Sequence, residues 1–259
     1  MRTIAIMNNK GGVGKTVTAI NFADILVRDH KKRVVLADCD GQMNLTRFFL
    51  PGFDPLVNLT TAQVLTGDGE QVWSENLVDL RPDLWLLPGS PELYQLDLRA
   101  IKDGVSNPGA MRDFCEAARE DGETDFFLFD CPPGFTAASV AALMAADEVI
   151  LPMTLDGFSF SGMTDMLMQI GNLREAKLGI KIAGVLITQW HNSAVIREAE
   201  ELLRSLKIPV FTQTIRRTDK VPESTFARLP IATHSPTSAA AQDYRAWVRE
   251  YLGQEVRHG

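Results

Sequence analysis

Cysteine is scarce in this 259-residue chain: Cys39, Cys115 and Cys131 stand far apart, with no CxxC pair among them. An odd, scattered set builds neither a disulfide framework nor a thiolate metal cluster. The four histidines, His30, His191, His234 and His258, are equally dispersed and show no ligand spacing. No apolar run approaches the ~20 residues that span a bilayer. The opening RTIAIM is too short for the apolar region of a secretory signal and carries no cleavage pattern, so a cytoplasmic location is expected. An excess of base is missing too. Against 33 Asp+Glu there are 26 Lys+Arg, a net charge of −7, which argues against nucleic-acid binding through overall charge but leaves room for a local basic patch.

What is present is the material of a sizeable core, with 45% hydrophobic and 23% charged residues. Short, nearly continuous apolar runs recur at 3–7, 34–37, 84–87, 126–129, 148–153, 182–187 and 209–211. Strands buried on both faces read this way. Between them lie helical patterns. Ala19, Phe22, Ala23 and Leu26 share one face of a helix over 16–28, and a helix over 193–207 opens at Ser193 and closes with Arg204 and Lys207. Such alternation implies βαβ units around a mostly parallel sheet. The expected fold is α/β, a single doubly wound sheet with helices on both faces, in one domain over 1–259. The least regular stretch, 51–82, is expected to hold one short helix near 61–65, and a closing helix is expected over 236–252.

The segment MNNKGGVGKT (7–16) leaves the first strand and opens the first helix. In that context the backbone N–H groups of Gly11, Gly12, Val13, Gly14, Lys15, Thr16 and Val17 can cradle phosphates at a helix N-terminus. Lys15 would reach the β- and γ-phosphates of ATP, and the Thr16 hydroxyl would ligate Mg²⁺. The usual spacing GxxxxGK[ST] fails, because Asn9 stands where it places its first glycine. A second lysine, Lys10, lies five residues before Lys15. FFLFDCPPG (126–134) is an apolar strand ending in Asp130, where a carboxylate suits a Mg²⁺-bound water. LADCDGQMN (36–44) ends another strand with Asp38 and Asp40 on the same side of an extended segment.

KGGVGKT is the signature of the deviant-Walker ATPases, and the chain resembles the ParA/MinD family from residue 3 to about 252. The resemblance implies that Lys10 reaches across a homodimer to the phosphates of the partner's nucleotide. It implies that Asp40 positions or activates the attacking water, and that Asp38 supports the magnesium shell and the P-loop. Two departures stand out: Gly41 replaces the proline of the family's DxDPQ element, and Val17 replaces a frequent second threonine. TIRRTDKVPES (214–224) resembles the family's IPRN-type segment. On the same ground Arg216, Arg217 and Lys220 are candidates for ATP-dependent contact with nonspecific double-stranded DNA, and a centromere-binding protein of the ParB type is the implied partner. With the P-loop strand first, an upstream helix-turn-helix domain is not expected. QEVRHG after Gly253 is too short for a MinD-like membrane anchor. An iron–sulfur carrier of the Mrp type would need a CxxC after Cys131, and a metabolic ligase of the same fold would not need Lys10 in trans.

Overall fold

The computed structural model describes residues 1–55, 59–67, 77–103, 107–156 and 179–254, together with Thr164, Met168 and Gly171 as helical positions. Seven strands form one sheet: β1 (Arg2–Ile6), β2 (Val34–Asp38), β3 (Val78–Arg81), β4 (Leu84–Leu87), β5 (Phe126–Asp130), β6 (Glu148–Met153) and β7 (Lys181–Ile187). Their order is β3-β4-β2-β5-β1-β6-β7, with every pair parallel except β3 and β4.

Alternation along each strand divides the core into two layers. Ala5, Phe127 and Phe129 face a layer formed with α3 (Thr61–Thr66), α4 (Leu93–Asp103), α5 (Ala110–Asp121), α6 (Ala137–Ala145) and α7 (Ala194–Ser205). Ile4, Ile6, Phe126 and Leu128 face the other layer. There α1 (Lys15–His30) and α2 (Asn44–Phe49) pack with α9 (Ile231–His234) and α10 (Ala239–Gln254). The short α8 (Lys220–Phe226) precedes α9. Because both faces are covered, the interior of the sheet is built from largely apolar strands, as the runs in the sequence imply.

Three readings differ. β3 is an antiparallel edge strand inside the stretch read as irregular; its VDLR is half-exposed and only four residues long, too short for a periodic signal. The run at 209–211 forms a single bridge, Val210 to Val185, because Pro209 has no N–H with which to extend a ladder. The closing helix begins at Ala239 rather than at Pro236. Ser238 stands before it, its hydroxyl accepting from the Ala241 N–H at 3.3 Å. The ParA/MinD resemblance also implies a strand, loop and helix over 149–163, of which 157–163 lie outside the described residues.

The helix that carries the P-loop is anchored by aromatic packing. Phe22 meets Trp247 at 4.8 Å between ring centroids and Tyr251 at 5.1 Å, and Phe211 meets Trp247 edge-on at 5.8 Å. Trp247 is fully buried. Trp247→Ala is therefore expected to lower the unfolding free energy by about 3–5 kcal/mol, read from the denaturant midpoint. Trp247→Phe should cost less, since the indole N–H has no hydrogen-bond partner to lose.

Candidate nucleotide-binding site

The loops leaving the C-terminal ends of β1, β2 and β5 converge, as expected of an open parallel sheet. Gly12 and Gly14 adopt φ of 76° and 87°, left-handed conformations that a side chain would strain. The loop is held from the neighbouring strands. Asn8 Nδ2 donates to the Pro152 carbonyl at 2.7 Å, while Asn8 Oδ1 accepts from the Lys10 N–H at 2.9 Å. Thr188 Oγ1 donates to the Val13 carbonyl at 2.8 Å, and Gln189 Nε2 to that of Gly12 at 2.7 Å. Asn8, Thr188 and Gln189 carry no motif, and the only sequence signal was polar side chains at the ends of apolar strands.

A cavity of about 650 Å³ opens over this loop, lined by Gly11, Gly12, Gly14, Lys15, Thr16 and Val17 on one side and by Asp40 and Pro133 on another. Lys15 Nζ donates to the carbonyls of Asn8 and Lys10 at 3.1 and 3.0 Å. Burial lowers its pKa against the opposing pull of Asp130. Ile215, Val221, Pro222 and Tyr244, which the sequence left unassigned, supply apolar lining, interspersed with Arg216, Arg217, Thr218 and Asp219.

Asp130 ends β5, is buried, and has both carboxylate oxygens without a hydrogen-bond partner. Burial, reinforced by Asp38, pushes its pKa well above the usual range, while the Thr16 hydroxyl and Lys15 pull the other way. An orphaned carboxylate beside a hydroxyl and a phosphate-binding loop fits a divalent cation such as Mg²⁺. Among the described residues no group of three His, Cys, Asp or Glu could hold a metal alone, so substrate phosphates and water would complete such a site.

Asp38 pairs in register with Asp130, and both carboxylates lie beneath the residues that line the cavity. Its Oδ2 accepts from the Thr46 N–H at 2.8 Å and the Thr46 hydroxyl at 2.7 Å, and its Oδ1 from the Asp40 N–H at 3.1 Å. Burial still pushes its pKa up to about 6. These bonds tie Asp38 to the loop that carries Asp40. Asp40 does reach the cavity, and its Oδ1 accepts from the Gln42 N–H at 2.9 Å.

Lys10 faces elsewhere. Its ammonium is paired with the Asp156 carboxylate, which also accepts from the Thr154 hydroxyl at 3.0 Å. Lys10 and Asp156 line a second cavity of about 320 Å³, with Trp190 and Arg217 on its rim. Arg217 borders both cavities. Arg216, which lines the first cavity, grips the buried Asp243 with its Nε at 2.8 Å and Nη2 at 2.7 Å. Lys220 is paired with Glu223 at 2.7 Å and Arg204 with Glu200 at 2.8 Å. Arg204, Arg216 and Lys220 are thus each paired with an acid within the subunit.

A glycine-rich turn before a helix, a lysine under it and a carboxylate at the end of the adjacent strand define a P-loop nucleoside-triphosphatase fold. A family profile described as "AAA domain" matches residues 1–182. The chain is similar to the chromosome-partitioning ATPase Soj of Thermus thermophilus, 32% identical over 98% of this chain and 96% of that one. The structure of apo McdA from Cyanothece superposes with a TM-score of 0.84 at 20% identity, covering 98% and 100% of the two chains, which shows a shared fold. A cobyrinic acid a,c-diamide synthase from Mycobacterium smegmatis, solved with an ATP analogue and magnesium, gives 0.79 at 26% identity over 100% of this chain and 97% of that one. The chain belongs to the ParA/MinD family of partition ATPases. Among the described residues no helix is long and apolar enough to cross a membrane.

The unpartnered carboxyl has a measurable signature. A carboxyl whose folded pKa is raised disfavours the folded state once the pH climbs above its unfolded value. In metal-free buffer, the native protein should lose stability relative to Asp130→Asn as the pH rises from about 5 to about 8. Denaturant midpoints at the two pH values measure this, and a constant difference would mean that Asp130 is ionised throughout.

Proposed function

We propose that the protein is a Mg²⁺–ATP-dependent switch whose active form is a dimer with two nucleotides at its interface. The observation that carries this reading is the separation of the two lysines. Lys15 lines the cavity above the P-loop, whereas Lys10, on the same loop, points into a neighbouring cavity and is held by Asp156. In cis, Lys10 lines no part of the cavity that would take the phosphates. A positive charge at the subunit's surface beside that cavity suits phosphates presented by a second copy.

Within one subunit, the N–H groups of residues 11–17 and Lys15 bind the phosphates, and Ile215, Val221, Pro222 and Tyr244 offer the apolar wall for the base. Thr16 and Asp130 would hold Mg²⁺, which neutralises phosphate charge when bound. Asp40, with one oxygen engaged by Gln42, orients the attacking water with the other. Hydrolysis is slow, because the lifetime of the bound state is the output of a switch.

The dimer's track in this reading is nonspecific double-stranded DNA, and a ParB-type protein stimulates hydrolysis, as the family membership suggests. Arg217 and Lys220 are the side chains assigned to phosphate contact. Arg216 is better placed to brace the cavity wall through Asp243. With so many cations already paired, DNA affinity should be modest and fall steeply with salt.

Light scattering with ATP tests the core of the proposal. Lys10→Ala should remain monomeric while still binding nucleotide, Asp40→Ala should accumulate as the ATP dimer, and Lys15→Ala should bind ATP poorly. An unchanged monomer–dimer ratio in Lys10→Ala would falsify the in-trans role. Duplex binding with ATP, ADP or no nucleotide, across a salt series, tests the track: binding in ATP alone, weakened in Arg217→Ala, supports it. Because Arg217 borders the nucleotide cavity, its ATP affinity must be measured alongside.

A further inference from the structure

The loop that carries Asp40 is gripped from outside by a helix with no part in the motifs. A Cβ placed on Gly41 would stand 2.7 Å from Cε2 and 2.8 Å from Cζ of Tyr94, so the tyrosine ring rests on the glycine backbone. The next residue completes the contact, as Gln42 Nε2 donates to the Tyr94 hydroxyl at 2.5 Å. The backbone N–H of that same Gln42 donates to Asp40 Oδ1. A continuous path of contacts thus runs from the Tyr94 ring through Gln42 to the Asp40 carboxylate.

The opposite side of the loop is equally confined. A Cβ on Gly89 would come within 3.1 Å of the Asp40 carbonyl and 3.0 Å of Asp38 Cγ, and the Gly89 N–H donates to Thr46 Oγ1 at 2.9 Å. Gly89 and Tyr94 flank the start of α4, so one short segment closes on the Asp40 loop from two directions. One turn further along α4, Asp97 Oδ1 accepts from the Ala137 N–H at 2.7 Å, at the first residue of α6. That helix follows the CPPG loop beyond Asp130. A single helix therefore touches the Asp40 loop and the start of the helix that follows the Asp130 loop, through side chains three residues apart.

We propose that Tyr94 is a positioning residue for the hydrolytic step: by seating on Gly41 and binding Gln42 it holds Asp40 in its working orientation. This rests on the assignment of Asp40 to the attacking water. It also gives Gly41 a reason of its own, since any side chain at that position would displace the ring. The ring is about half exposed, at 45%, so its removal opens no core cavity, and the fold should tolerate it.

Single-turnover and steady-state ATPase measurements on the full chain test the assignment, with ATP affinity, thermal midpoint and ATP-dependent dimer fraction measured in parallel. Tyr94→Ala is expected to lower kcat by about 10- to 100-fold, the scale set by a misplaced catalytic group, with affinity, midpoint and dimer fraction nearly unchanged. Tyr94→Phe, which keeps the ring on Gly41, should recover much of the rate. Gly41→Ala should reproduce the loss, and the double variant Gly41→Ala/Tyr94→Ala should be no slower than Tyr94→Ala alone, because both changes break the same contact. Full kcat in Tyr94→Ala, independent losses in the double variant, or a rate loss explained by weaker ATP binding, unfolding or lost dimer would overturn the proposal. Asp40→Ala serves as the reference. If it hydrolyses ATP normally, the role of Asp40 fails and Tyr94 has nothing to position; if it is inactive while Tyr94→Ala is fully active, only the role of Tyr94 fails.

Discussion

At the end of β5 a carboxyl group is held out of water with no hydrogen bond to either oxygen, and the arrangement around it follows from that cost. An unpaired buried carboxylate either protonates or waits for a cation. Asp130 has both options: Asp38 beside it pushes toward the neutral form, while Thr16 and Lys15 stand ready to favour the charged one. The apolar residues of β5 that precede it exclude solvent, and the glycine turn of the P-loop supplies N–H groups opposite. The site is thus incomplete by construction, and a bound metal with a polyanion relieves what the fold leaves unsatisfied.

Order around this centre is imposed by contacts from distant parts of the chain. The P-loop hangs from β6 and from the residues after β7 through Asn8, Thr188 and Gln189, so its shape depends on residues up to 177 positions away. The Asp40 loop depends on Thr46 and on the segment between Gly89 and Tyr94. Lys10, on the same loop as Lys15, is turned outward by Asp156. In the proposed dimer this ion pair would exchange for contact with the partner's nucleotide, and part of the binding energy would go to releasing Lys10.

The surface charges show why counting residues misjudges a basic patch. Five Lys and Arg between 204 and 220 face one acid in that stretch, yet Glu200, Glu223 and Asp243, from outside it, engage three of the five. The positive charge that remains is smaller and more local, and Arg217 borders both cavities.

Fold class and phosphate chemistry were legible in the sequence because both rest on short-range constraints. Strands covered on two faces must be apolar at every position, and a backbone that turns at φ near +80° must use glycine, so β1, β2, β5 and the P-loop announced themselves. Asp130 was singled out by its place at the end of such a strand, and Asp40 by its place just past another. β3 was missed, being a short edge strand with half-exposed side chains, and 209–211 was overread because the missing N–H of Pro209 was outweighed by its apolar neighbours. The partners of each charge lay beyond reach, since ion pairs such as Lys10–Asp156 and Arg216–Asp243 join residues whose spacing carries no signal. The sequence by itself determined the sheet, the glycine turn and the chemical types gathered at its edge. Only the tertiary structure decided that Asp38 serves the loop, that Lys10 points away from the cavity of its own subunit and that Tyr94 touches Gly41. Those outcomes depend on distance in space, which local propensity does not encode.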